Sequence, residues 1–186
     1  MKKEFIKLSG ILCAITLVAA VLLAGVNKIT APRIAMAEEK AAQTAMKTIL
    51  PEAESFEKIS DNVFLGKKDN APVGFCVKAN TNGYGGAIEM MVAIDKNEQV
   101  CGIEILSHSE TAGLGAKAAE PEFKSQFKGK NDSLEVVKIP TESPDQITAI
   151  TGATITSRAV AAGIDEAFKM VEDALKKEEK KSAENN

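Results

Sequence analysis

Two short stretches carry residues whose types and spacing could do chemistry. Ile150-Thr151-Gly152-Ala153-Thr154-Ile155-Thr156-Ser157 sets several hydroxyls around a Gly-Ala pair. A small-residue loop opening a helix lets an anion approach backbone N–H groups, and the helix dipole favours that charge. Thr154 places its hydroxyl beside such an anion. A threonine hydroxyl is protonated at neutral pH, so joining it to phosphate needs a base, a metal and an activated donor. The nearest acid in sequence before it is Asp145, nine residues back. Chemistry at Thr154 therefore has to be done in trans.

The second stretch, His108-Ser109-Glu110-Thr111-Ala112-Gly113-Leu114-Gly115-Ala116-Lys117, offers glycines, hydroxyls, a carboxylate and a lysine. His108, Ser109 and Glu110 are adjacent and cannot form a nucleophile–base–acid relay. Glu110 and Thr111 can bond a ligand edge or hold their own loop. Leu114 can supply an apolar contact, and Lys117 can reach a phosphate.

The elements that must position these stretches follow from periodicity. Val63–Lys67, Val73–Ala79, Ile88–Asp95 and Gln99–Leu106 are short β-rich runs separated by turn residues. Asp95-Lys96-Asn97-Glu98 reads as a hairpin loop, and Asn82-Gly83-Tyr84-Gly85-Gly86 as a flexible loop opening a strand. Residues 121–127 predict a short helix, 134–139 a further strand, and Pro140-Thr141-Glu142-Ser143-Pro144 a loop. A final helix is expected from about Ser157, with Val160, Ile164, Phe168, Val171 and Leu175 on one apolar face. This order points to α+β with an antiparallel sheet.

Ahead of that body, Leu8–Val26 is a run of nineteen uncharged residues. It would span roughly 28 Å, close to the hydrocarbon thickness of a bilayer. A signal peptide has a shorter apolar region. Leu22-Leu23-Ala24-Gly25 resembles a lipobox, but position 26 is Val, so the run reads as an uncleaved anchor. Beyond it Ile34, Ala37, Ala41, Ala45 and Ile49 recur at helical spacing up to Pro51. That helix either continues the span, lies against another helix or stands as an exposed stalk.

Residues 34–186 hold 18 basic and 25 acidic residues, a net of about −7, which argues against a nucleic-acid partner. One histidine and three cysteines (Cys13, Cys76, Cys101) without C-x-x-C offer no metal-ligand spacing. Cys76 and Cys101 could form a disulfide outside the cytoplasm, but each lies in an apolar strand-like run, and the preferred reading is buried free thiols.

Thr151-Gly152-Ala153-Thr154 resembles the [ST]-G-A-T flavinylation motif, and His108–Gly115 resembles the H-x-E-T-P-G-L-G segment of FMN-binding domains. Together with one membrane helix they resemble the G subunit of Rnf-type electron-transport complexes and, more distantly, the C subunit of sodium-pumping NADH:quinone reductases. The resemblance implies an FMN-binding domain with a twisted antiparallel sheet and flanking helices. It implies FMN joined through its phosphate to Thr154 by a Mg-dependent flavin transferase, which takes FMN from FAD and releases AMP. Thr151, Gly152, Ala153, Thr156, Glu110, Thr111, Leu114, Gly115 and Lys117 would then line the cofactor. The chain departs from the family at Ala112, where proline is usual, and at Thr148, where an acid commonly precedes the motif.

The resulting expectation is a cytoplasmic tail (1–7), a transmembrane helix (8–27), a connecting helix (28–51), an FMN-binding domain (52–175) outside the cytoplasm and a frayed charged tail (176–186). Its partners would be the other membrane and redox subunits of an Rnf-type complex, which couples ferredoxin–NAD chemistry to ion translocation. Two alternatives stay open. One is a non-redox anchored domain whose loops hold an anion or simply pack. The other is the flavin subunit of a quinone reductase or other extracytoplasmic flavoprotein.

Overall fold

The structure is a computed structural model that describes residues 2–139, 143 and 145–184. The expected loop over 140–144 lies, apart from Ser143, outside the described residues.

The chain divides into two compact units, Met1–Ala41 and Ala42–Asn186. Helix α1 runs unbroken over Lys2–Ile49 with Pro32 inside it, so the expected connecting helix continues the apolar one. Its Ile6–Ile49 stretch is long and apolar enough to cross a membrane, with a mean hydropathy of 2.5 in its most apolar window. Leu8, Leu12, Ile15, Val18, Leu22 and their neighbours are exposed, as a lipid-facing surface requires.

The second unit is built on a sheet of five antiparallel strands in the order β1-β2-β3-β4-β5. These are β1 (Ser55–Lys58), β2 (Val63–Lys68), β3 (Ala71–Asn82), β4 (Ala87–Asp95) and β5 (Val100–His108). The four expected strands are all present, and β1 joins them at one edge. Side chains alternate across the two faces, and the register keeps each set together: Val77 pairs with Val92 and Ala79 with Met90.

After β5 the chain makes a 3₁₀ turn (Gly115–Ala119), a short helix α2 (Pro121–Ser125), strand β6 (Glu135–Val137), strand β7 (Gln146–Thr148) and the long helix α3 (Thr154–Glu184). β6 is the strand expected over 134–139, whereas β7 was not expected, and the two form a separate parallel pair. α3 begins at Thr154 rather than near Ser157, so Thr154 is its first residue. The helix also continues to Glu184, through most of the segment expected to be frayed. Lys176 pairs with Glu172 one turn back, a spacing that supports an exposed helix.

α3 lays Val160, Ile164, Ala167 and Val171 on one face of the large sheet, against Val77, Ala79, Met90, Val92 and Ile94. Leu175, expected on that face, is 41% exposed, and Ala174 is buried instead. The other face, with Cys76, Met91 and Ala93, is covered by Ala45, Met46, Ile49, Leu50 and Ala53. Of the alanine-rich stripe, therefore, Ala45 and Ile49 pack on the sheet, while Ile34, Ala37 and Ala41 stay exposed. Each large side chain buried in these two layers contributes roughly 1.5–3 kcal/mol.

Candidate functional site

The chain leaves β7 at Thr148 and reaches α3 through a five-residue loop, which side chains hold at Thr148, Ile150 and Ala153. The Gln126 amide clamps the backbone of Thr148, accepting from its N–H at 2.8 Å and donating to its carbonyl at 3.4 Å. The Ser157 hydroxyl accepts from the N–H of Ile150 at 3.0 Å and donates to the carbonyl of Ala153 at 3.0 Å. Ser157 is fully buried, so the loop is fastened to the first turn of α3 from inside. Gly152 turns the chain at φ +80°, a left-handed conformation that a side chain would strain. Thr154 follows, half-buried, where the first N–H groups of α3 have no acceptor within the helix.

The second stretch meets this loop through one carboxylate. Glu110 Oε2 accepts from the hydroxyl of Thr156 at 2.8 Å, and Oε1 accepts from the backbone N–H of Gly85 at 3.0 Å. The Glu110 N–H donates to Nδ1 of His108 at 3.2 Å. Thr111 turns the chain, its carbonyl accepting from the N–H groups of Leu114 and Ala116 at 3.2 Å each.

Between the two stretches lies a cavity of about 680 Å³, walled by residues 149–156 on one side and Glu110, Thr111, Leu114 and Gly115 on another, with Tyr84 and Lys138 beside them. That volume falls within the range of small-molecule and cofactor sites. Its walls join the positive start of a long helix with apolar surface from Leu114, Ile150 and Ile155. Such a mixture suits a ligand with an anionic end and a flat, largely apolar body, as FMN has.

The structure brings nine of the ten residues singled out in the sequence to this cavity: Thr151, Gly152, Ala153, Thr154, Thr156, Glu110, Thr111, Leu114 and Gly115. Their roles separate. Thr151 and Thr154 line the cavity wall, whereas Thr156 is fully buried and spends its hydroxyl on Glu110. Lys117 is placed elsewhere. It is exposed and lines a neighbouring cavity of about 240 Å³ together with Gln126 and Thr148. The lysine at the main cavity is Lys138, which follows β6 and carries no motif to mark it. Tyr84 is likewise unmarked in the sequence, where it reads only as part of the flexible loop over 82–86. Ser157 read only as a helix start, since its two bonds depend on a fold of the loop.

The thiols stand apart from this site. Cys76 lies on β3 and Cys101 on β5, with β4 between them, roughly two strand spacings apart and beyond the reach of a disulfide. Both are free. Burial, with a smaller contribution from Cys101, pushes the Cys76 thiol up to about 12. Burial also raises the Cys101 thiol, with Asp95 and Glu52 adding to the shift. Neither is a ready nucleophile. Among the described residues no group of His, Cys, Asp and Glu could hold a metal ion.

Comparison with known proteins agrees with this geometry. A family model described as the FMN-binding domain matches residues 83–169, which take in both stretches and the whole cavity wall. Another, described as the RnfG N-terminal region, matches residues 1–49. The chain is 38% identical over 157 residues to the G subunit of the proton-translocating ferredoxin:NAD(+) oxidoreductase complex of Clostridium ljungdahlii, across 83% of this chain and 84% of that protein. It is 35% identical over 197 residues to the G subunit of the Na(+)-translocating ferredoxin:NAD(+) oxidoreductase complex of Acetobacterium woodii, across 94% and 95% of the two chains. The crystal structure of Shewanella oneidensis NqrC aligns with a TM-score of 0.50 at 24% identity, over 62% of this chain and 63% of that one. That likeness is one of fold. With an apolar N-terminal helix, a five-stranded antiparallel FMN-binding domain and both stretches at one cavity, the chain belongs to the G-subunit family of Rnf-type ion-translocating oxidoreductase complexes.

Proposed function

We propose that this chain is the membrane-anchored electron-transfer subunit of an ion-translocating ferredoxin:NAD oxidoreductase, carrying FMN as a phosphoester on Thr154. The observation that carries this reading is the position of Thr154, first residue of α3 and part of the wall of the 680 Å³ cavity. A phosphodiester there would keep one negative charge at the positive end of a 31-residue helix. Thr151 supplies a second hydroxyl, Gly152 a close approach of backbone, and Leu114 and Ile155 apolar surface for the ring. When bound, FMN supplies redox chemistry that accepts and passes on electrons; the protein holds and orients it.

Attachment in trans has its own support. The carboxylate brought into the cavity, Glu110, is engaged by Thr156 and Gly85, which leaves it poorly placed as a base for Thr154. In the proposed transfer the Thr154 oxygen attacks the flavin-side phosphorus of FAD. The new O–P bond replaces the pyrophosphate bond, AMP leaves, and the hydroxyl proton passes to a base of the Mg-dependent transferase.

The surroundings extend the proposal. Residues 8–27 would span the membrane from a cytoplasmic tail at 1–7, and residues 52–175 would form the flavin domain outside. Its partners would be the other subunits of the complex, between whose redox centres the tethered flavin relays electrons. A covalent link would prevent loss of the cofactor on a side of the membrane where free FMN is scarce.

The test is intact mass and peptide mapping of the denatured full chain after coexpression with a flavin transferase. An FMN phosphoester on the Thr154 peptide is expected, abolished by Thr154→Ala and partly kept by Thr154→Ser. An adduct that persists in Thr154→Ala would overturn the site. An unmodified chain beside a modified control substrate would favour an anchored domain that binds without redox chemistry.

A further inference from the structure

We propose that Glu110 is the positioning residue of the flavin cavity: its carboxylate ties the Gly83–Gly86 loop to the first turn of α3. This rests on the FMN reading of the cavity but not on the covalent link. Two segments distant in sequence from Glu110 converge on this one side chain. Oε1 takes the Gly85 N–H at 3.0 Å, across 25 residues, and Oε2 takes the Thr156 hydroxyl at 2.8 Å, across 46 residues. Thr156 is fully buried and Glu110 half-buried, so that bond is partly shielded from water and strengthened by the charge on its acceptor.

The glycines around the carboxylate support this role. A Cβ placed on Gly83 would run into Glu110 Oε1, and one on Gly115 would run into Glu110 Oε2. The Gly115 Cβ would also come within 2.8 Å of the Thr156 hydroxyl oxygen. On Gly85 it would strike the carbonyl of Ser109, the residue before Glu110. Glycines that read in the sequence only as a flexible loop and as part of the His108–Lys117 stretch thus make room for the protein's own carboxylate. Gly152, on the opposite wall and at φ +80°, is the one whose backbone conformation shapes the motif loop.

The consequence is a coupling between two walls. The tie that fixes Gly85 also fixes the neighbouring Tyr84, while the tie to Thr156 fixes α3 two residues from Thr154. Losing the carboxylate frees both walls at once, and losing Thr156 frees one of them. Glutamine is a partial substitute. Its carbonyl oxygen can accept from Gly85, and its amide can donate to the Thr156 oxygen, because a hydroxyl also accepts.

The test uses the full chain in detergent with Thr154→Ala as background, so that only reversible FMN binding is read. Glu110→Ala, Glu110→Gln, Thr156→Val and the Glu110→Ala/Thr156→Val pair are compared by FMN fluorescence titration and, without flavin, by amide hydrogen exchange. Glu110→Ala should weaken FMN at least about tenfold and speed exchange at Gly85 by a similar factor. Glu110→Gln should stay within about threefold in both readouts, and the double variant should be no weaker than Glu110→Ala alone. The proposal is overturned if exchange at Gly85 is unmoved in Glu110→Ala, if Gln behaves as Ala does in FMN binding, or if the two single losses add. A background chain that binds no FMN would count against the flavin reading instead, while the exchange measurements still decide the tie.

Discussion

The two faces of the large sheet come from the same strands and have been put to different uses. On one face Cys76, Met91 and Ala93 meet the end of α1 through small or flexible side chains. On the other, Val77, Met90, Val92 and Ile94 meet α3. At the α3 end of that second layer, apolar packing gives way to a network of Glu110, Thr156, Ser157 and backbone groups around a cavity. Hydroxyls that are fully buried need partners, and a network that satisfies them fixes its geometry closely. The α1 face thus acts through stability alone, whereas the start of α3 couples stability to ligand geometry. That division can be broken experimentally.

The largest effect is expected on the α1 face. Met91 is fully buried, and Met91→Ala should cost about 2–5 kcal/mol of stability through lost transfer energy and a cavity. FMN affinity, measured well below the melting temperature, should not change. A loss of affinity parallel to the loss of stability would erase the distinction between the faces. Gly115→Val is the converse change. Its added Cβ must displace Glu110 or Thr156, at about 1–3 kcal/mol in stability. Here FMN affinity should fall at least about tenfold. Retained affinity in Gly115→Val would mean that this corner merely packs.

How much of this was legible beforehand differs between the same two regions. The α3 layer was readable because Val160, Ile164, Phe168 and Val171 follow helical spacing, and the strands because short β-rich runs alternate with turn residues. The hairpin over 95–98 was marked by Asp95, whose carboxylate accepts from the N–H groups of Asn97 and Gln99 at 2.7 and 3.0 Å. The α1 face was half-legible. Sequence showed an alanine stripe, but which part of it packs depends on where the sheet lies, and only Ala45 and Ile49 reach it. At the site, residue types pointed to the place and left the partners hidden. A glutamate followed by a threonine looks like a ligand pair, yet Glu110 turns inward to Thr156, 46 residues away. Local spacing also could not tell Lys117 from Lys138, because the choice depends on which way the 3₁₀ turn and β6 carry each side chain.

A smaller effect returns to the α1 face through pH. The folded chain holds the Cys76 proton up to about 12, against an ordinary value of 9.0. Above pH 9 the unfolded chain releases that proton while the folded chain keeps it, so stability is full below about 9 and declines as pH rises towards 12. By pH 10 the loss is roughly 1.4 kcal/mol from this group. Denaturant titrations at pH 8 and 10 should show this decline, and Cys76→Ala should make it shallower. An equal slope in Cys76→Ala would assign the decline to other groups.

The smallest effect separates the two lysines. Lys138 lines the main cavity and Lys117 the neighbouring one, and both are exposed. An exposed cation beside a phosphate is worth about 0.2–1 kcal/mol because water and salt screen it. In the Thr154→Ala background, Lys138→Gln should therefore weaken FMN by at most about fivefold at low salt. Lys117→Gln should leave affinity unchanged. Riboflavin, which lacks the phosphate, sharpens the assignment. If Lys138 faces the phosphate, its loss changes FMN affinity and spares riboflavin. If it faces the ring, both ligands weaken together, and the anionic end must then be held by the start of α3 with Thr151 alone.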